Sequence, residues 1–430
     1  MSDPTRFQVN GRSEGPSVEL LNELFDDAIR LGASDIHFED GDQGCAIRFR
    51  VGGELRQIRR IDHQTALMCD SKIRAVCRMS LQERYVPLDG RMFIEVDDRI
   101  VDVRVSIVPT RSGQSIACRL LDQNNASRRL EQIEMSDTVR AAIAAVLDEP
   151  DGLILLTGPT GSGKTTTLYS ILNQLNRPEV KIVTVEDPVE YRLEGVNQIN
   201  VDDRFTFATA LRSILRQDPD IILVGEIRDA ETAKIAVEAS MTGHLVLASL
   251  HANDMASTMT RLVDLGVDKH VLSIVLRCVI AQRLPKQLCT HCSEPHTLTA
   301  GEREWLTVAA AHYLDRQYFS ARGCDQCTGG TSDRIPVMEM VVGGAAMRRA
   351  IGLNTRVEII RAARLQKQYE TIVDAGLRHA VNGRITLAEV NKLSRSLDEV
   401  PCIETPGAVP QGNVLSLLAE RVGAVAGERR

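Results

Sequence analysis

A parallel α/β core preceded by a smaller α+β unit is the fold that the sequence predicts, and three observations predict it. The stretch GLILLTGPTGSGKTTTLYSIL, residues 152–172, joins an apolar run to a helix-forming segment through a glycine-rich loop. From Leu153 to about Leu284 further apolar runs alternate with helical stretches, the pattern of parallel strands covered by helices. Upstream, short alternating runs such as CAIRFRV and IVDVRVSIV are separated by glycine-containing turns.

In chain order, residues 1–16 are polar and read as a loose terminus. A helix follows, with Val18, Leu21, Leu24, Ala28 and Leu31 at helical spacing and Gly32 as its C-terminal stop. It opens an N-terminal α+β domain over 17–125, with a second helical segment around Thr65 to Arg78. The α/β core is expected over 126–285, a Cys-containing element over 286–335 and a helical C-terminal segment over 336–398. Residues 399–430 read as linker and tail: PCIETPGAVPQGN has linker composition, and VLSLLAERVGAVAGERR reads as a frayed end or a short amphipathic helix.

Composition bounds the function. The 430 residues are 43% hydrophobic and 25% charged, enough for two or three cored domains. Aromatics are only 3% and net charge is −7, which argues against base stacking and direct handling of nucleic acid. MSDPTRFQVN has no signal-peptide core, and no apolar run reaches the roughly 18 residues of a membrane span, so the chain is expected in the cytoplasm. Ten cysteines in that reducing setting make paired spacings metal sites rather than disulfides.

The chemistry starts at Gly158-Pro159-Thr160-Gly161-Ser162-Gly163-Lys164-Thr165, followed by Thr166. Glycines let backbone N–H groups approach phosphates, the helix N-terminus adds partial positive charge, Lys164 reaches the outer phosphates and the Thr165 hydroxyl suits Mg²⁺. ATP and Mg²⁺ are therefore the expected ligands. Three more apolar runs end in chemistry-bearing residues: VKIVTV in Glu186-Asp187, IILV in Gly225-Glu226 and HLVLASL in His251. Parallel strands share one carboxyl edge, so these ends should meet the phosphate loop there. Glu226 and Glu186 are the candidates to orient or deprotonate the attacking water, with Gly225 letting the backbone pass close to the nucleotide. Arg212 and Arg216, four apart on a helix, could stabilise transition-state charge or simply face solvent.

Cys289-Thr-His-Cys292 and Cys324-Asp-Gln-Cys327 are two knuckles separated by 31 residues, 293–323. Four thiolates suit a closed, structural Zn²⁺ site, with His291 a bystander, although the gap exceeds that of common zinc ribbons and unpaired buried thiols remain the alternative. Cys69, Cys77 and Cys278 read as small buried residues.

Together, GASDIHFE, PLDGR, DVRVSIVPT, GPTGSGKTT, VEDPVEY, LRSILRQDPDIILVGEIRDAETA, TGHLVLASLHANDMAS and AQRLPKQLCTHC resemble the secretion ATPases of type II secretion and type IV pilus assembly, over about Leu20 to Ser394. The resemblance implies a RecA-like P-loop ATPase core after a small PAS-like domain, with a Cys₄ zinc insertion. It implies that Glu226 lies in an atypical Walker B strand as the catalytic carboxylate and that Glu186, in an aspartate box, assists metal and water placement. It puts His244 and His251 near the γ-phosphate as nucleotide sensors. It presents Arg212 and Arg216 near the active site, and closes the preceding domain on the nucleotide through Arg104 and Arg119. It further implies a homo-hexamer that drives an inner-membrane platform protein, associating with the membrane through such partners. The Cys₄ insertion favours assembly or export over one alternative, a pilus retraction motor, while the acidic net charge and scarce aromatics weigh against the other, a conjugation or DNA-uptake translocase. Two positions depart from the family, Gly52 where aspartate is usual and Leu88 where glutamine is common, and the extra N-terminal docking module is expected to be missing or vestigial.

Overall fold

The computed structural model describes residues 15–96, 99–122, 128–327 and 329–395; the tail reading at 399–430 lies outside the described residues. These form two compact units, residues 15–297 with 317–395, and residues 298–316.

The first unit begins with α1 (Pro16–Arg30), β1 (Ala33–Gly41), β2 (Gly44–Val51), β3 (Glu54–Ile61), α2 (His63–Val76), β4 (Leu88–Val96), β5 (Arg99–Thr110) and β6 (Gly113–Asp122). The six strands make one antiparallel sheet in the order β3-β2-β1-β6-β5-β4. Val18, Leu21, Leu24, Phe25 and Ala28 of α1 are buried, as the spacing predicts, and join Ile36, Ile47, Phe49 and Val103 in one core. Leu31 departs from that expectation: it caps the helix and is 53% exposed. Asp62 caps α2 by accepting from Thr65 N at 2.9 Å.

Next come α3 (Asp137–Leu147), β7 (Gly152–Thr157), α4 (Lys164–Leu175), β8 (Ile182–Glu186), β9 (Asn197–Asn200), α5 (Phe207–Ile214), β10 (Ile221–Val224), α6 (Ala230–Met241), β11 (Leu245–Leu250), α7 (Met255–Asp264), α8 (Lys269–Val275) and β12 (Leu276–Arg283). The six strands β7 to β12 are parallel to one another in a seven-stranded sheet ordered β17-β12-β7-β11-β10-β8-β9. Both faces are covered. Leu153 and Leu155 pack on one side with α5, α6 and α7, while Ile154 and Leu156 pack on the other with α3 and α4. Burial on both faces is why these strands read as continuous apolar runs.

The remaining elements are β13 (Lys286–Leu288), β14 (Ser293–His296), α9 (Ala300–Ala309), β15 (Tyr318–Ala321), β16 (Thr331–Arg334), β17 (Val337–Val342), α10 (Ala345–Leu353), α11 (Arg356–Ala363), α12 (Ile372–Val381) and α13 (Leu387–Arg395). The segment expected to be helical throughout 336–398 therefore opens with a strand. VMEMVV pairs antiparallel with β12, from Val337↔Arg283 to Val342↔Cys278, and closes that edge of the core sheet. Five apolar residues around Glu339 carry no period long enough to separate strand from helix, and only the partner strand decides. In the second unit, Thr299 and Glu302 cap α9 reciprocally. Among the described residues, no helix is long and apolar enough to cross a membrane.

Candidate nucleotide and metal sites

The phosphate loop follows β7, whose six residues are all buried, and ends where α4 begins. Gly161 and Gly163 have φ of 79° and 84°, values that residues with a Cβ rarely adopt. Lys164 folds over its own loop, its Nζ donating to Gly158 O at 2.7 Å and Pro159 O at 3.2 Å. Burial lowers the Lys164 ammonium to about 8; Glu226 works against that shift and Arg283 adds to it. Thr165 and Thr166 occupy the first turn of α4, where free backbone N–H groups and the helix dipole favour anions. The Ser162 hydroxyl, buried in the loop, has no hydrogen-bond partner. A glycine-lined turn, a lysine, a helix N-terminus and an unpartnered hydroxyl together fit a nucleotide polyphosphate, with Thr165 the residue to hold Mg²⁺.

The four predicted strand ends do share one edge. β8, β10, β11 and β7 are adjacent and in register, from Ile182↔Ile221 and Ile221↔Leu245 to Leu250↔Thr157. Glu226 lies just past β10, with His251 Nε2 3.1 Å from one carboxylate oxygen and Arg228 Nη2 2.8 Å from the other. Arg228 also reaches Asp187 at 3.0 Å, so the ends of β8, β10 and β11 are tied by charge. Asp187 and Arg228 were both visible, in VEDPVEY and GEIRD, but nothing in the sequence showed that they would pair.

Glu186 behaves differently. Its carboxylate is buried and accepts from Tyr169 Oη at 2.5 Å, Thr184 Oγ1 at 2.6 Å and Gln198 Nε2 at 3.4 Å. Burial pushes its carboxyl above the usual range, opposed by those three hydrogen bonds. Gly225 is small for a reason other than the one predicted: a Cβ there would sit 3.1 Å from Val185 O and 3.2 Å from Glu186 Cα, so the crowding comes from β8.

His244 is a correction. It precedes β11, and its carbonyl accepts from Gly152 N at the start of β7, which places it at the edge opposite the phosphate loop. Six strand residues span roughly 20 Å, so His244 and His251 of one chain cannot flank one phosphate. The His244 ring is held by Ala239 O at 2.9 Å and Thr242 Oγ1 at 3.1 Å.

The arginines are not gathered at the loop. Arg212 pairs with Glu231, Arg216 donates to Arg212 O at 2.8 Å, and both are exposed. Arg104 of β5 donates to Val189 O at 2.6 Å and lies 3.8 Å from Glu190, while Arg119 of β6 is 3.1 Å from Asp35. Both line a cavity of about 840 Å³ between the antiparallel sheet and residues 188–200. That cavity joins the N-terminal domain to the segment following Glu186, but it includes no residue of the phosphate loop.

A fifth strand end reaches the loop. Gln282 and Arg283 end β12, beside β7, and both are buried. Gln282 touches the loop directly, accepting from Thr167 Oγ1 and donating to Ser162 O, each at 2.8 Å. Arg283 holds Asn253 O at 2.6 Å, beyond β11. The same strand-end reasoning applied to VIAQR would have found them.

The four knuckle cysteines converge, their sulfur atoms all within 4.8 Å of one another. Sγ separations of 3.9 Å (Cys289–Cys324), 3.6 Å (Cys292–Cys327) and 3.6 Å (Cys324–Cys327) bracket the roughly 3.8 Å edge of a tetrahedron with 2.3 Å Zn–S bonds. Each knuckle sits between two short ladders, β13 with β16 and β14 with β15, which removes the objection of a long gap. Backbone N–H groups of Cys324 and Gly330 point at Cys327 Sγ at 3.2 and 3.3 Å, donors that stabilise a thiolate. The donor set fits Zn²⁺; His291 Nδ1, 4.0 Å from Cys289 Sγ, stands outside it. Cys69 and Cys278 are buried and Cys77 half-buried.

A sequence profile for the family described as Type II/IV secretion system protein matches residues 10–392. The chain belongs to that family. Among relatives of this secretion protein, type II secretion system protein E of Aeromonas hydrophila is 42% identical over 390 residues, 90% of this chain and 77% of its own. The type IV pilus assembly ATPase PilB of Pseudomonas aeruginosa is 38% identical, over 89% of this chain and 68% of its own. In three dimensions the pilus retraction motor PilT, solved with bound ADP, matches with a TM-score of 0.61 and 27% identity, over 86% of this chain and 96% of its own. The Legionella pneumophila ATPase DotB shares the fold at a TM-score of 0.67. This secretion-family member is an ATP hydrolase of mixed α/β fold.

Proposed function

We propose that this chain works as a cytoplasmic homo-hexameric motor, peripheral at the inner membrane, whose ATP hydrolysis drives assembly of a type IV pilus or a type II secretion pseudopilus through a platform protein. The observation that carries the reading is Glu226, held between His251 and Arg228 at the edge that also presents the phosphate loop. Lys164 and the N-terminus of α4 bind the phosphates, and Thr165 is the group to hold a metal, with Glu186 buried behind that edge and engaged by Tyr169, Thr184 and Gln198. Bound Mg²⁺ would neutralise charge that develops on the phosphates. Glu226 orients the water, and His251, 3.1 Å from one of its oxygens, fixes the direction of that carboxylate. Arg212 of α5 and Arg216 just beyond its C-terminal cap are both exposed, which supports a role toward a neighbouring subunit rather than their own. Arg104 and Arg119 let the N-terminal domain respond to what residues 188–200 do. Assembly is favoured over retraction because the Cys₄ element is intact and PilB is more similar in sequence than PilT.

The test is Glu226→Gln. ATP binding should persist while turnover falls by roughly 10² to 10⁴; turnover equal to wild type would remove Glu226 from the mechanism.

A further inference from the structure

We infer that Gln282 is a positioning residue for the phosphate loop, fixing the one peptide plane on which anion capture depends. This rests on reading Gly158–Thr165 as the nucleotide site.

Gln282 is 2% exposed and reaches the loop from three directions. Its main-chain oxygen would lie 2.5 Å from a Cβ at Gly158, and its Nε2 2.8 Å from a Cβ at Gly163. Gln282 is therefore one of the reasons why these two loop positions are glycine. Its Nε2 donates to Ser162 O, and its Oε1 accepts the Thr167 hydroxyl proton. The second bond sets the first: with Oε1 committed to Thr167, the amide must present N–H to Ser162. The backbone at Gln282 is itself fixed: it pairs with Met338 of β17, and its neighbour Ala281 pairs with Thr157 of β7.

The consequence follows from planarity. In a trans peptide, C=O and N–H point in opposite directions. Drawing Ser162 C=O toward Gln282 turns Gly163 N–H away from β12, to the loop's open side. Gly163, at φ 84°, is a residue whose flanking peptides flip easily, because it lacks a Cβ. Without Gln282 the plane is free to turn, and a carbonyl oxygen would replace an N–H facing a phosphate.

Gln282→Met keeps length and volume but neither hydrogen bond. Gln282→Glu keeps the acceptor for Thr167 but sets a carboxylate against Ser162 O. Thr167→Val removes only the hydroxyl that orients the amide. Fluorescent ADP titration and steady-state hydrolysis of the full chain should show Kd and KM raised about tenfold in Gln282→Met, more in Gln282→Glu and less in Thr167→Val. The turnover number should stay within about threefold, and the melting temperature within a few degrees. Wild-type KM in both Gln282 variants, or a loss of turnover at unchanged KM, would overturn the assignment. Should Gln282→Met fail to fold, an unchanged KM in Thr167→Val would overturn it equally. If wild type itself bound no nucleotide, the site reading would fail instead.

Discussion

Glu186 and Glu226 end neighbouring strands of one sheet, four residues of which run side by side in register. Glu186 is sealed beneath Tyr169, Thr184 and Gln198; Glu226 is half-buried, with one oxygen toward His251 and the other toward Arg228. The same sequence signal, an acid at the carboxyl end of an apolar run, has thus produced two different chemical environments. The difference lies in which way the chain turns after the strand. β8 ends with Glu186 facing α4, and its neighbour Asp187 takes the outward place beside Arg228. The Glu226 carboxylate offers both oxygens to side chains at the phosphate edge, whereas Glu186 is held in place by its donors and burial raises its carboxyl above the usual range.

The largest expected effect separates the pair. Glu226→Gln should remove most turnover, whereas Glu186→Gln should cost stability as well, about 1–3 kcal/mol for disturbing a buried hydrogen-bonded group; equal melting temperatures for the two variants would break the contrast. A perturbation remote from both sharpens it: Cys327→Ser should abolish bound zinc, measured by metal analysis, and lower the melting point by several degrees. The Glu186 behaviour should survive that change.

Next comes pH. Because burial raises the Glu186 carboxyl above its ordinary 4.5, the native protein holds that proton more tightly than the unfolded chain. The stabilisation is present below 4.5 and is lost as pH rises through the raised value, so the wild-type melting point should fall relative to Glu186→Gln over that interval. Parallel melting curves across it would place Glu186 in a wetter site than the one described. The smallest effect belongs to Arg228→Ala. This arginine is about half exposed, so its pairs with Glu226 and Asp187 should contribute only about 0.2–1 kcal/mol. Turnover should shift a few-fold as Glu226 loses one partner, readable in the same hydrolysis assay.

The sequence made the phosphate loop, the parallel core and the two CxxC knuckles legible because each is a local pattern of residues close together in the chain. His251 was legible for the same reason, as the end of an apolar run. His244 was not: it lies seven positions earlier in the same quoted motif, and a strand between two histidines carries them to opposite edges. Arg104 and Arg119 illustrate another limit, since alternation on β5 and β6 sets their face but not whether Glu190 or Asp35 meets them. Gln282 ends an apolar run as the other strand ends do, but its partners, a backbone carbonyl and a helix threonine, leave no mark in sequence that would have named its role. VMEMVV was taken into a helical segment because its partner β12 lies 54 residues earlier, counted from Arg283 to Val337.

The paired ladders of the Cys₄ element carry a consequence for how such sites evolve. Since β13 with β16 and β14 with β15 fix both knuckles by backbone pairing, the stretch between β14 and β15 supplies no sulfur to the cluster. Insertions there would lengthen the gap between the two CxxC pairs without moving a sulfur atom. Knuckle spacing would then drift freely among relatives while the metal geometry stayed constant, and a search that filters on a fixed gap would discard intact sites.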